Sequence, residues 1–479
     1  MNSSNNQKSS LMTLTAMVIG SMVGAGIFSL PQNFAQVTGP FGALIAWLIS
    51  GIGMLMLAFV FQTLSIRKPN LDAGIYAYAK DGFGSYLGFS SVLGYWAGTC
   101  LGNVTYFIIM CSTIGYICPS FGNGNTITAI LFSSVILWGF HFLILKGTKG
   151  ADFVNNIVTI SKMIPIIIFI FFVAFYFDHK IFMINFWGNG ENNISNIFLQ
   201  VRDTMMITVF VFLGIEGASI YSRYAKNRKD VGIATLLGFI SVLCLLIMVT
   251  ILPYGVMYQN EISELRNPSM AGILEHLIGY WGAALIITGL LISVLGAFLS
   301  WTLLATEILF IAAKDEAMPK FLCYENKNQV PSTSLWMTNI TVQLFLFITI
   351  FSKEAFILAR DLTSSMNLIP YLLVAMYCVK LTAESNSIEY KSTENLQKRF
   401  DFFCGITSTI YATWLIYAGG LKFLLLSSII YGPGSVLFII TRLELSKNIF
   451  TNRELILCII TNIGSIIAVY GLMIGYISI

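Results

Sequence analysis

Two ionisable residues stand in stretches otherwise built to avoid charge: Glu216 in TVFVFLGIEGASIYS and Lys162 in TISKMIPIII. An ionisable side chain inside a membrane-length apolar run points to function by default, because a charge in hydrocarbon must be paired, hydrated or neutralised. Either could carry a proton, and Lys162 sits too deep in its run to reach the interface easily. Glycines accompany the acid. Gly214 and Gly217 flank Glu216, and Gly20, Gly24 and Gly26 crowd the stretch GSMVGAGIFSLP. Glycine is the poorest ordinary helix former after proline, and unwinding a helix in lipid strands N–H and C=O groups that must find partners. A half-helix restarting near Gly26 aims free N–H groups and a positive dipole end at an anion such as a carboxylate. Unwound carbonyls from Phe210 to Leu213 suit an ammonium. Together the two breaks would recognise an α-amino acid. Glycines also let membrane helices pack closely; that alternative accounts for one glycine-rich span more easily than for two, matched in position, one carrying an acid.

The elements holding these residues follow from apolar length. The 479-residue chain is 56% hydrophobic and 10% charged, with a mean hydropathy of +0.78, against about 25% charged in soluble domains. Its apolar runs cover 11–35, 41–64, 85–116, 126–145, 152–176, 200–222, 231–257, 278–311, 333–351, 355–380, 402–419, 421–441 and 455–477. Each suffices for the ~30 Å hydrocarbon core. The eleventh is short, and only Gly419-Gly420 separates it from the twelfth; counting them as one gives twelve spans and returns the C-terminus to the starting side. With the N-terminus cytoplasmic and thirteen spans, twenty of the 27 Lys and Arg fall in inside loops, as the positive-inside rule requires. The polar start MNSSNNQKSS leads into a full-length span, with no small-residue cleavage site before it.

Other chemistries lack their residues. The eight cysteines are scattered without a CxxC pair, and the three histidines lie far apart, so neither a metal site nor a disulfide framework is expected. No phosphate loop, nucleophile elbow or zinc signature occurs. No cofactor is implied, nothing points to an enzyme, and the net charge of +4 calls for no nucleic-acid partner.

Spans 1 and 6 are five spans apart, and paired interruptions at matching positions of two halves point to a transporter built on inverted repeats. Here the residues resemble a known family. GSMVGAGIFSLP, GIYAYAKDGFGSYLG, FLGIEGASIYSRYAKNRKDV, GAFLSWTLLATEILFIAAKDEAMP and SSMNLIPYLL, in that order, resemble the amino acid–polyamine–organocation superfamily. Within it the chain is similar to the basic amino acid/polyamine antiporters, the arginine–ornithine and arginine–agmatine exchangers. Two family positions differ: Gly232 replaces a proline after the basic loop, and Glu316 replaces a glycine at the end of span 8. The resemblance implies an all-α polytopic membrane protein with a 5+5 inverted-repeat core of the leucine-transporter type. Broken helices 1 and 6 lie in that core, and two or three helices are added at the C-terminus. It divides the chain into a cytoplasmic tail (1–10), the transport core (11–380), a cytoplasmic loop (381–401) and additional helices (402–479).

The resemblance also implies site roles. Met22, Ala25 and Gly26 would hold the substrate carboxylate through backbone, and Phe210 and Leu213 would face its amino end. Trp301 matches a tryptophan covering the substrate side chain, where a guanidinium on indole gains ~1–2 kcal/mol once desolvated; a packing or interfacial role competes. Asn103 matches a position bonding the distal end of the substrate, and an intramembrane asparagine serves equally as helix–helix glue. Ser364, with Ser365 beside it, could add a hydroxyl. Phe210 stands where arginine exchangers typically carry a gating tryptophan, which weakens an inference to strict arginine specificity. Tyr76, Tyr95 and Tyr106 match or neighbour aromatic gate positions, and Glu216 would join the gate. Glu307 reads as a gate or interface pair. Lys162 falls where sodium-coupled cousins bind their ion against span 1, so an ammonium bridging those carbonyls, or a proton-coupling group, argues for sodium independence. The expected activity is exchange of a cationic, arginine-like amino acid for a related amino acid or its decarboxylated amine. Proton-coupled amino acid symport with a broader or neutral range is the alternative. The implied setting is the bilayer of a bacterial inner membrane, with a homodimer as a further expectation.

Overall fold

The structure, a computed structural model, describes residues 11–69, 71, 74–147, 151–188, 193–216, 228–384 and 395–477. Gly217, the tail 1–10 and residues 385–394 of the loop 381–401 fall outside the described residues. What is described is helical apart from turns and one isolated bridge between Glu325 and Pro331. Among the described residues, ten helices are long and apolar enough to cross a membrane, or twelve when two bent pairs count as one span each.

The remaining ambiguity is resolved inside the helix Asn395–Glu444, whose 50 residues contain a non-helical Gly420 at φ 73°. At about 1.5 Å per residue a straight helix of that length would span more than twice the ~30 Å core. Instead the chain turns at Gly420, where the left-handed backbone favours glycine. Asp401 accepts from Thr63 Oγ1 at 3.2 Å near the end of span 2, and Glu444 accepts from Lys320 N at 2.8 Å just beyond span 8. Both ends of the hairpin therefore sit at one end of the bundle, called here the Asp315 end. Separated at Gly420, its two arms bring the count to thirteen.

Spans 3 (Ser85–Ile114) and 10 (Ala355–Ala383) form the centre, with 94% and 72% of their apolar windows buried, whereas the last helix (Asn452–Met473) is only 17% buried and rims the bundle. Some indoles inside are paired across spans, as burial without a partner would cost about 1–3 kcal/mol each. Trp47 Nε1 donates to Thr250 Oγ1 at 2.9 Å and Trp96 Nε1 to Thr338 Oγ1 at 3.0 Å.

A second pair of corresponding features accompanies the broken spans. Span 3 follows a short helix (Ile75–Phe83) through Gly84 at φ 97°, and span 8 (Tyr280–Lys314) follows another (Ser269–Ile278) through Gly279 at φ 74°. The first short helix lies at the Asp315 end, where Tyr76 Oη donates to Asp315 Oδ2 at 2.7 Å. The second lies at the opposite end, where Ser269 Oγ accepts from Gln32 N at 3.2 Å. Elements five spans apart on opposite faces are what inverted repeats produce. At the Asp315 end, Glu316 adopts φ 56°, the left-handed region in which the resemblance expects glycine. Its side chain accepts from Lys447 Nζ at 3.0 Å, and that ammonium lowers its pKa.

Candidate functional site

Span 1 is helical over Leu11–Met22, extended at Gly24 (φ −100°, ψ −173°), then a tight helix over Ala25–Ser29 leading into Leu30–Ala35. Its two parts meet at 49°. Span 6 is helical over Ile194–Phe212, leaves the helix at Leu213 (φ −57°, ψ 135°) and passes Gly214 at φ 103°. Its unwinding thus begins at Leu213. Phe210 remains in the last helical turn, whose carbonyls lack intrahelical donors.

The breaks touch. A Cβ on Gly214 would lie 2.4 Å from Ser21 O, and one on Gly26 would lie 2.6 Å from Phe210 Cε1. Only glycine permits both approaches. Gly20, near the C-terminal end of the first half-helix, has a carbonyl that accepts from Lys162 Nζ at 2.6 Å. The ammonium of span 5 (Ala151–Phe175) is 5% exposed and therefore sits against the broken end of span 1.

Glu216 gathers donors from three spans. Tyr95 Oη in span 3 donates to its Oε1 at 2.5 Å, while Tyr371 Oη in span 10 and the Gly214 N–H donate to Oε2 at 2.7 and 3.1 Å. These three hydrogen bonds to one carboxyl tie spans 3, 6 and 10 together beside the breaks.

A cavity of about 560 Å³ begins between the breaks and reaches the loop Gln329–Pro331. A constricted space of about 20 Å³ continues past Met22, Gly26, Phe210 and Trp301, with room for roughly one water. Beyond it, at the other end, lies a separate cavity of about 340 Å³ lined by Gln32, Arg266 and Lys353. The septum is aromatic: Phe210 rests on Gly26, and Tyr106 and Trp301 line the same constriction.

The predicted residues divide accordingly. Lys162, Glu216, Tyr95, Leu213 and Trp301 line the large cavity, as do Tyr106 and Glu307; Met22, Gly26 and Phe210 line the constriction. Trp301 packs edge-on to Tyr106, centroids 5.5 Å apart, and a Cβ on Gly102 would lie 2.4 Å from its ring. Ala25 is fully buried and is not among the residues lining these spaces. Asn103 Nδ2 donates to Thr302 Oγ1 at 3.2 Å, joining spans 3 and 8, while its buried Oδ1 has no partner among the described residues. Ser364 Oγ bonds Met206 O and Arg360 O, both at 3.1 Å, and Ser365 Oγ bonds Ser427 Oγ at 3.0 Å; both hydroxyls serve helix packing. Tyr76 is remote from the cavity, and burial together with Asp315 pushes its phenol well above the ordinary range, keeping it a donor. Two contributors were missed. Asn367 lines the cavity and Tyr371 reaches Glu216; their i, i+4 spacing in span 10 is the signal that would have paired them.

The amino acid permease family model matches residues 10–472. An arginine/ornithine antiporter of Pseudomonas aeruginosa is 49% identical over 484 residues, covering all of both chains. A putative arginine/ornithine antiporter of Escherichia coli is 39% identical, covering 98% of this chain and 99% of its own. An arginine/agmatine antiporter of Chlamydia pneumoniae is 39% identical, covering 92% of each.

Proposed function

We propose that this chain, which belongs to the amino acid permease family, exchanges a cationic, arginine-like amino acid for a related amino acid or its decarboxylated amine by alternating access. The observation that carries the reading is the pair of interrupted spans meeting at Gly214 and Ser21, with a large cavity on one side and an aromatic septum on the other. One broken end presents N–H groups to a carboxylate, the other presents carbonyls to an ammonium, and Trp301 offers its face to the side chain. The printed names of the relatives, arginine/ornithine and arginine/agmatine antiporters, supply the substrate class. Transport accounts for this arrangement without any bond-breaking step, so the chain acts as a carrier and not as an enzyme.

The Asp315 end is the cytoplasmic one in this reading. Lys80, Lys314, Lys320 and Lys447 gather there, as the positive-inside rule expects, and the N-terminus starts on the same side. The apolar, outward-facing last helix suits lipid of a bacterial inner membrane or a second copy in a homodimer. Lys162 on Gly20 supports sodium independence, because an ammonium already occupies the carbonyl end of span 1.

Counterflow in proteoliposomes tests the reading. Uptake of labelled arginine should require internal arginine, ornithine or agmatine and ignore an imposed proton gradient. Uptake into empty vesicles driven by that gradient would instead establish proton-coupled symport, the alternative favoured by two buried ionisable groups, Lys162 and Glu216, at the breaks. Trp301→Leu should weaken arginine competition about fivefold to thirtyfold, from loss of ~1–2 kcal/mol of cation–π contact. An unchanged affinity and competitor ranking would remove Trp301 from the site.

A further inference from the structure

Three acidic or basic side chains line the large cavity, and two are engaged by hydrogen bonds. Lys162 holds Gly20 O, and Glu216 holds two phenols and a backbone N–H. The third, Glu307, is exposed in the cavity wall and has no hydrogen-bond or ion-pair partner among the described residues. The nearest cation along its own helix does not take that role. Lys314 pairs with Glu325 at 3.9 Å and lies over the Phe310 ring at 4.0 Å. Nor is Glu307 a helix cap, since span 8 continues to Lys314.

Its position on span 8 is specific. Gly296, Ala297, Ser300, Leu303, Leu304 and Glu307 all line the cavity, and at 3.6 residues per turn they form one stripe. The stripe is small or apolar until it ends in a carboxylate about 10 Å beyond Ser300. Trp301 borders its inner part, and Gln329 marks the mouth. A cation moving from the tryptophan face to the mouth passes this acid, and a low-dielectric wall focuses its field into the passage.

We propose that Glu307 is a second, transient subsite for the cationic end of the substrate, between Trp301 and the mouth, and that it sets the preference for cationic over neutral side chains. This rests on the exchange function proposed above. A carboxylate receives a guanidinium in a forked pair and an ammonium as a point charge, but gives a neutral ureido group only ordinary hydrogen bonds. Specificity then comes from the difference between the two substrates, not from tightness toward either.

The test compares wild type, Glu307→Gln and Glu307→Asp, each as the full chain in proteoliposomes, with arginine and its neutral isostere citrulline as competitors. Binding of both compounds in detergent, read by thermal shift, scores any variant that binds without turning over. Glu307→Gln should lose arginine affinity about tenfold, the scale of one charge-assisted hydrogen bond, while citrulline competes as before. Glu307→Asp should retain the preference. An arginine-to-citrulline ratio in Glu307→Gln equal to that of wild type overturns the proposal, and so does an equal loss for both compounds, which marks a structural role. Wild-type protein exchanging neither arginine nor ornithine would instead sink the exchange reading itself.

Discussion

Replacing Gly214 by alanine is expected to cut exchange on the order of a hundredfold while leaving the protein extractable and monodisperse. Gly214 holds φ 103°, where a Cβ costs on the order of 1–3 kcal/mol. The larger problem is contact. The added Cβ would lie 2.4 Å from Ser21 O, and that atom is backbone, so no side-chain rotation relieves the clash. The two broken ends must separate, carrying the N–H groups of span 1 near Gly26 away from the carbonyls of span 6 near Leu213, the pair proposed above to hold the substrate. Misplacing reacting or binding groups by about 1 Å costs on the order of a hundredfold, and a comparable fall in counterflow is expected. A variant exchanging at the wild-type rate would show that contact between the breaks is incidental.

Replacing Lys162 by methionine is the second large effect expected. The side chain keeps its approximate bulk and loses its charge, leaving Gly20 O without its donor at 2.6 Å. A hydrogen bond to a charged group contributes about 1.5–3 kcal/mol, and orphaning a buried acceptor adds a penalty of similar size. Exchange should fall at least tenfold, and Lys162→Arg should not restore it, because a planar fork does not replace a compact ammonium. The companion measurement replaces sodium by choline with the wild-type protein. Its rate should not change; a requirement for sodium would show that the ammonium does not serve as the fixed cation of span 1.

Much of this arrangement was legible in the sequence because it depends on composition and local spacing. Glycines inside an apolar run announce a break in lipid, whatever surrounds them, and so Gly24, Gly26 and Gly214 were found. A lysine in hydrocarbon announces itself in the same way. The turn at Gly420 was half-visible: Gly419-Gly420 marked a boundary, but only its φ of 73° and the shared end of Asp401 and Glu444 decided between one helix and two. What could not be read was the direction of side chains on helices buried all round. Span 3 is enclosed on every side, so its pattern does not say which face meets the cavity, and Asn103 is found against Thr302. Ser364 illustrates the same limit, its hydroxyl consumed by Met206 O across the helix contact. Tyr371 depended on pairing spans 3, 6 and 10 around one carboxylate, which no local pattern encodes. Glu307 was visible as an acid, but its lack of a partner required the neighbours of Lys314.

The septum has an electrical consequence. Cavities of about 560 and 340 Å³ exceed the ~30 Å³ share of one water many times over, so both have room for many waters. A membrane potential therefore falls mainly across the short constriction where Phe210 rests on Gly26, and a charge crossing it experiences about 2.3 kcal/mol per 100 mV. Trading two singly charged amino acids leaves that field with no net work to do. Trading arginine for a doubly charged diamine moves one charge per cycle, and the cell's voltage then drives or opposes each turn of the carrier.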